Sequence, residues 1–282
     1  MNCVALKDRA LVAISGDDAQ TLLQDVITCD VEHLPQAVAR PGALLTPQGK
    51  ILFEFLISRD GADRFLFDLG KDQIAGFVQR MTMYRLRAKA EIAPAEGAFV
   101  HAAWGSAPQD GWLQDSRFKG DVAMYRIYAP ETPETATRDA YDRLRIENGV
   151  AEAGVDYALS DAFPHDVLMD LNGGVSFRKG CFVGQEVVSR MQHRATARRR
   201  IVIVEAQAPL PETGASLTVG GRAIGSLGTV ADNRGLALAR IDKVASAREK
   251  DTPVLAGDLP VSTTLPAWTG LSFSPAPATG EA

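Results

Sequence analysis

Lys179-Gly180-Cys181-Phe182-Val183-Gly184-Gln185-Glu186, continuing through Val187-Val188-Ser189-Arg190-Met191-Gln192-His193-Arg194, is the stretch on which the reading of this chain turns. A cysteine stands between a lysine and a glycine-bounded turn, directly before a segment able to start a helix. Gly180 and Gly184 admit backbone conformations closed to other residues, which predicts a tight, exposed bend carrying Cys181. A thiol beside Lys179 and near a helix N-terminus should ionise below the roughly 8.5 of a free cysteine. Cys181 is therefore a candidate thiolate, with Lys179 as the cation that stabilises it. Glu186 favours the positive end of the helix dipole, and Val187, Val188 and Met191 form an apolar stripe expected to face a core. Free cysteines are often small buried hydrophobes, so exposure is the property that separates the two readings.

Working outward, the 282 residues are 46% hydrophobic and 23% charged, enough for a substantial core in two or three domains. No apolar run approaches the roughly 18 residues of a membrane span, and Met1-Asn2-Cys3 followed by Lys7-Asp8-Arg9 lacks a secretory signal; the expected location is the cytoplasm, without a membrane partner. Cys3, Cys29 and Cys181 include no C-x-x-C pair, so neither a disulfide framework nor a permanently bound metal or cluster is expected. Cys29 and His33 share an i, i+4 spacing read as incidental, and His165, between Pro164 and Asp166, reads as a turn residue. The formal charge of -5 argues against a general nucleic-acid binder. Yet Arg178, Lys179, Arg190, Arg194, Arg198, Arg199 and Arg200 face only Glu186 as local acid. That patch fits an anion: the acidic tail of a small molecule, an RNA backbone or an acidic partner surface.

Secondary structure reads as mixed. A helix is predicted over Asp17 to Val26, capped by Ser15. A hairpin joins Ala43–Thr46 to Ile51–Ser58 across Pro47-Gln48-Gly49, and Arg64 to Leu69 adds a third strand. Ile74, Phe77, Val78 and Met81 mark a further helix, passing into an extended Leu86 to Ile92. Strands over Phe99 to Trp104 and Val122 to Tyr128 precede a helix capped by Thr132, opened by Pro133 and stopped by Gly149. Arg145 and Glu147 sit about 200 degrees apart on it, so one of them should be structural. Short strands over 201–205, 216–219, 223–231 and 235–241 predict a small barrel. The glycines at 220, 221, 225 and 228 fall in a hairpin context, not a dinucleotide loop.

The cysteine segment resembles the K-G-C-[FY]-x-G-Q-E signature of the YgfZ family, folate-binding proteins of iron-sulfur cluster maturation related to the aminomethyltransferase (T-protein) of the glycine cleavage system. The likeness extends to Arg145-Ile146-Glu147-Asn148-Gly149, to Leu171-Asn172-Gly173-Gly174-Val175-Ser176-Phe177, and to the opening Gly16-Asp17-Asp18-Ala19 with Leu22-Leu23-Gln24-Asp25 and Thr28-Cys29-Asp30-Val31. It implies an α+β fold: T-protein-like antiparallel sheets with helices around a central folate pocket, then a C-terminal β-barrel. The corresponding domains are a body over 1–198, divisible near 95 and 96, a barrel over 199–256 and a Pro/Ser/Thr-rich tail over 257–282.

Function follows from the resemblance: a folate-binding accessory protein for assembly or repair of iron-sulfur proteins, indirectly supporting tRNA modification. It implies tetrahydrofolate or a derivative as cofactor, and iron-sulfur client or assembly proteins as partners, without direct tRNA contact. Arg145 and Glu147, the Y-x-L-R element with Tyr84, Arg85 and Arg87, and Gln185 with Glu186 are the implied folate contacts, beside the catalytic candidates Cys181 and Lys179. Two alternatives remain: a tetrahydrofolate-dependent aminomethyl transferase and an RNA-binding module. Against the first, the acidic pair of T-proteins is reduced here to Phe53-Glu54, and no G-Y-T-G-E-like segment lies near Tyr125 to Ala129. Ala195 also departs from the family's glycine after the His-Arg pair.

Overall fold

A computed structural model describes residues 1–194 and 197–273. The chain divides into two compact units, one formed by 1–141, 159–164 and 169–190, the other by 142–158, 165–168 and the residues from Met191 onward. In chain order the first unit opens with β1 (Asn2–Ala5), β2 (Arg9–Ser15), α1 (Ala19–Val26), β3 (Val38–Leu45), β4 (Ile51–Arg59), β5 (Arg64–Gly70), α2 (Ile74–Arg85) and β6 (Glu91–Pro94). It continues with β7 (Phe99–Trp104), β8 (Leu113–Asp115) and β9 (Met124–Ala129).

These strands make one nine-stranded sheet ordered β1-β7-β9-β8-β3-β4-β5-β2-β6. The β3–β8 pairing is parallel, and the strand pairs on either side of it are antiparallel. The β3–β4 hairpin turns where Pro47-Gln48-Gly49 predicts, with Gly49 at φ 79°. Helix α1 buries Ala19, Leu22, Leu23 and Val26, the face its 3.6-residue period selects. The core between these elements holds Phe55, Phe67 and Phe77, with Phe55 and Phe67 edge-on at 4.9 Å between centroids. Each such ring contributes about 1.5–3 kcal/mol through burial.

The chain then runs through α3 (Arg138–Asn148), α4 (Met169–Asn172) and α5 (Gln185–Arg194) into β10 (Arg199–Glu205), β11 (Ser216–Val219), β12 (Arg222–Ala231), β13 (Arg234–Arg240), α6 (Ile241–Glu249), β14 (Val254–Ala256) and β15 (Leu259–Thr264). The six strands close as a barrel, β10-β13-β12-β11-β14-β15, with β15 returning to β10 through Ile203↔Thr264. Closure leaves no unpaired strand edge.

Three boundaries depart from the sequence reading. The helix expected from Thr132 begins at Arg138, because the Thr135 and Ala136 amides donate to the Cys3 carbonyl and hold that stretch against β1. Thr137, not Thr132, supplies the cap, its Oγ1 accepting the Ala140 amide at 3.2 Å. Gly149 does stop the helix, at φ 67°. The tail drawn from residue 257 starts too early, since β15 completes the barrel; Pro275 and Pro277 of that tail, like Ala195, lie outside the described residues. Ser15 closes β2 and does not cap α1, whose preceding residue is Asp18. Finally, α6 was not legible as a helix; it buries Val244, Ala245 and Ala247 and packs on β10, β11 and β13.

Candidate functional site

The cysteine segment belongs to the first unit, and its geometry is set by one glycine. Gly184 takes φ 77°, and a Cβ there would meet the Thr46 carbonyl oxygen at 2.5 Å and the Gly49 backbone at 3.1 Å. The segment thus leans on the β3–β4 turn at a distance that only glycine permits. Gly180, by contrast, has open space around it and no positive φ, so the expectation that both glycines are conformationally obligatory holds for Gly184 alone. Phe182 is buried as the anchor of the bend, and Cys181 next to it is an exposed free thiol, whereas Cys3 and Cys29 are buried. Burial pushes the Cys29 thiol up to about 11.

Directly before the cysteine, residues 171–178 form one wall of a cleft of about 660 Å³. Its apolar surface comes from Pro35, Val38, Leu171, Val175 and Phe177; Leu171 and Phe177 are both among the exposed large hydrophobic residues. Its cations are Arg40, Lys119 and Arg178, and its carboxylate is Asp30. Burial works against ionisation of Asp30, but hydrogen bonds from the His33 ring at 2.9 Å, the His33 amide and Gln24 hold its pKa below the usual range. Asp30, Glu32 and His33 bring ligand-type atoms within 4.8 Å of one another. Residues 27–34 form bends and turns, so the i, i+4 relation of Cys29 and His33 is not a helical one.

Lys179 does not do what its position beside Cys181 implies. Its ammonium donates to the carbonyls of Ile27 at 2.5 Å and Cys29 at 3.1 Å and lies 5.4 Å from the Phe182 ring centroid. Half-buried there, it has its pKa lowered by desolvation, which the Cys29 and Asp30 sides oppose. Lys179 is a pin between the cysteine bend and the loop after α1, and its charge is spent on backbone oxygens. Gln185 and Glu186 open α5, with Glu186 paired to Arg190 one turn on.

The remaining implied folate contacts scatter. Tyr84 packs against the core cluster of the first unit, and Arg85 reaches the Ala90 carbonyl at 3.4 Å; Arg87, beyond the end of α2, is exposed. Arg145 belongs to the second unit and is 1% exposed. Its guanidinium donates to Asp142, the Val150 carbonyl, Asp156 and the Thr229 hydroxyl, at 2.7–3.0 Å. A guanidinium so saturated is a structural knot, not a ligand contact, which corrects the role implied for Arg145. Glu147 faces away, half exposed, with Arg234 at 3.7 Å, as the angular separation on the helix requires.

Sequence reasoning missed a buried ionic network in the first unit. Arg9 pairs with Asp68, Asp68 with Arg126 at 3.3 Å, Arg126 with Asp115 at 3.3 Å, Asp115 with Arg117 at 2.9 Å, and Arg117 with Glu54 at 3.4 Å. All six side chains are at most 5% exposed. The signal available was the single Glu54 in an otherwise apolar β4, since a carboxylate in a strand buried on both faces needs a cation. Glu54, the one carboxylate left from the T-protein acidic pair, is therefore engaged by Arg117.

Comparison with known proteins agrees with this architecture. Residues 198–271 match the family model described as the CAF17 C-terminal beta-barrel domain. The chain is 30% identical over 283 residues to the iron-sulfur cluster assembly factor IBA57 homolog, mitochondrial, of Pyricularia oryzae, covering 84% of this chain and 71% of that protein. It is 26% identical over 280 residues to the iron-sulfur cluster assembly factor IBA57, mitochondrial, of Mus musculus, covering 86% and 78%. Among solved structures, glycine cleavage system aminomethyltransferase T from Bartonella henselae superposes with a TM-score of 0.71 at 16% identity, over 94% of this chain and 85% of that one. The fold is thus the aminomethyltransferase fold followed by a six-stranded barrel. None of the described helices is long and apolar enough to cross a membrane.

Proposed function

This chain belongs to the family of IBA57 iron-sulfur cluster assembly factors, and from that premise we propose that it is a folate-binding accessory protein for assembly or repair of iron-sulfur proteins, with Cys181 as its working thiol. The observation that carries the proposal is that Cys181 is exposed while both other cysteines are buried, on a bend held by Gly184 and Lys179 and preceded in sequence by a cation-bearing cleft wall.

The cleft residues fit a folate. Its volume is within the range of small-molecule sites, its apolar walls suit a pterin, and Asp30 can accept hydrogen bonds from a pterin's amino edge. Arg40, Lys119 and Arg178 supply the cations that a glutamyl tail needs. In this reading these residues replace Arg145 as the folate contacts. Bound tetrahydrofolate would supply a one-carbon carrier; the chain itself would orient it and present Cys181 beside it. Lys179 acts as a positioning residue that fixes the bend. The pairing of Glu54 with Arg117 speaks against aminomethyl transfer of the T-protein kind.

The relation to the YgfZ family in particular, and the indirect support of tRNA modification through an iron-sulfur client, are part of the same proposal. So is the cytoplasm as location, although the relatives above are named mitochondrial; fractionation of cells expressing the tagged chain distinguishes the two. The decisive test is a calorimetric titration of the full protein with tetrahydrofolate, alongside complementation of cells lacking it. Cys181→Ala should bind folate as the parent does yet fail to restore iron-sulfur enzyme activity. Full restoration removes the thiol from the function, and steeply salt-dependent tRNA binding without folate binding would favour the RNA-binding alternative.

A further inference from the structure

The barrel carries a second concave surface, in the other unit. Strands β11 and β12 are joined by Gly220 and Gly221, at φ 54° and 74°, the left-handed pair a two-residue hairpin requires. This turn sets Arg222 opposite Val219 at the mouth of the hairpin. Across from it stands α6, where Lys243 and Ala247 share a face at i, i+4 and Lys250 follows as the C-cap. Between hairpin and helix lies a pocket of about 390 Å³.

The pocket has an apolar floor and a cationic rim. Ile224 and Ala247, 6% and 2% exposed, form the floor with Val219. Arg222, Arg240, Lys243 and Lys250 form the rim, and no Asp or Glu lines the pocket. Arg240 is answered by Asp242 at 2.7 Å. Arg222, Lys243 and Lys250 are exposed and take part in no ion pair among the described residues. In a chain whose formal charge is -5, four cations and no carboxylate lining one depression are a local reversal of sign.

We propose that this pocket binds a phosphorylated organic molecule of nucleotide size, its phosphates on Arg222, Lys243 and Lys250 and its body on the Val219–Ile224–Ala247 floor. The shape argues for this over an acidic protein surface: a stable protein interface needs about 800 Å² per partner, whereas a depression of about 390 Å³ is at the lower end of small-molecule sites. The source is either a free nucleotide or one unit of a nucleic-acid strand, and the experiment separates them.

The full protein is titrated calorimetrically at low salt with ATP, inorganic phosphate, a decauridylate and a short polyglutamate. ATP or the decauridylate should bind with Kd below about 1 mM, more tightly than inorganic phosphate, and lose affinity as salt rises. Lys243→Ala with Lys250→Ala should weaken that binding at least tenfold, while Lys7→Ala, a cation of the first unit, should leave it unchanged. The tighter of the two phosphate probes identifies the source. No binding of either, undiminished binding in the double variant, or polyglutamate binding more tightly than both would overturn the assignment. Equal thermal midpoints of parent and double variant without ligand confirm that the exposed lysines were removed without harm to the barrel.

Discussion

Arg145 and the Cys181 bend both carry the likeness to one protein family, yet the structure treats them in opposite ways. Arg145 is sealed among Asp142, Asp156 and Thr229 with its donors spoken for. Cys181 stands exposed on a bend whose hydrogen bonds are made by its neighbours, Lys179 above all. The difference teaches that a motif residue can serve architecture alone, and that an exposed thiol on a fixed bend is the better sign of chemistry.

The comparison breaks most visibly under loss of a buried charge. Arg145→Ala should cost about 3–5 kcal/mol of stability, because it strands Asp156 and Glu152 in the interior; denaturant unfolding would read this, and a loss under 1 kcal/mol would mean the knot is not structural. Asp115→Ala should cost a similar amount in the first unit, with a pH signature. Burial opposes ionisation of Asp115, but Arg117 and Arg126 outweigh it and set its folded pKa below the ordinary value. A carboxylate so depressed stabilises fully above its unfolded pKa of about 3.9 and loses that contribution as pH falls toward the folded value. Parent stability should therefore fall below about pH 4 more steeply than that of the variant; parallel acid curves would count against the network.

Gly184→Ala comes next, at about 1–3 kcal/mol, since the added carbon meets the Thr46 carbonyl at 2.5 Å in a left-handed backbone. The same change at Gly180, where space is open, should stay within about 0.5 kcal/mol. Equal effects at the two glycines would erase the distinction drawn between them. Smallest of all is Cys181→Ala, expected within about 0.5 kcal/mol because the side chain is exposed. Its functional consequence is the reverse of its stability effect, and that contrast separates the two regions most sharply.

Much of this was readable in residue order. The Phe-rich strands, the glycine turns, the helix stop at Gly149 and the first four barrel strands announce themselves through period and punctuation, which are local properties, whereas β14 and β15, which close the barrel, did not. Helix α6 did not either, since Ile241, Val244 and Ala245 give only one turn of the i, i+3, i+4 pattern in a segment of 9 residues. Thr132 and Thr137 offer the same capping chemistry, and only the hold of Cys3 on Thr135 and Ala136 decides between them.

By itself the sequence determined the fold class, the exposed cysteine bend and the family likeness, because these depend on spacing along the chain. Tertiary structure alone decided that Lys179 serves the Ile27 and Cys29 carbonyls, that Arg145 is a knot, and that Glu54 belongs to a chain of buried charges running to Arg9. Those outcomes rest on partners up to 152 positions away: a charged side chain is committed by whichever opposite charge or carbonyl folding brings within about 3 Å, and no local pattern records which one that will be.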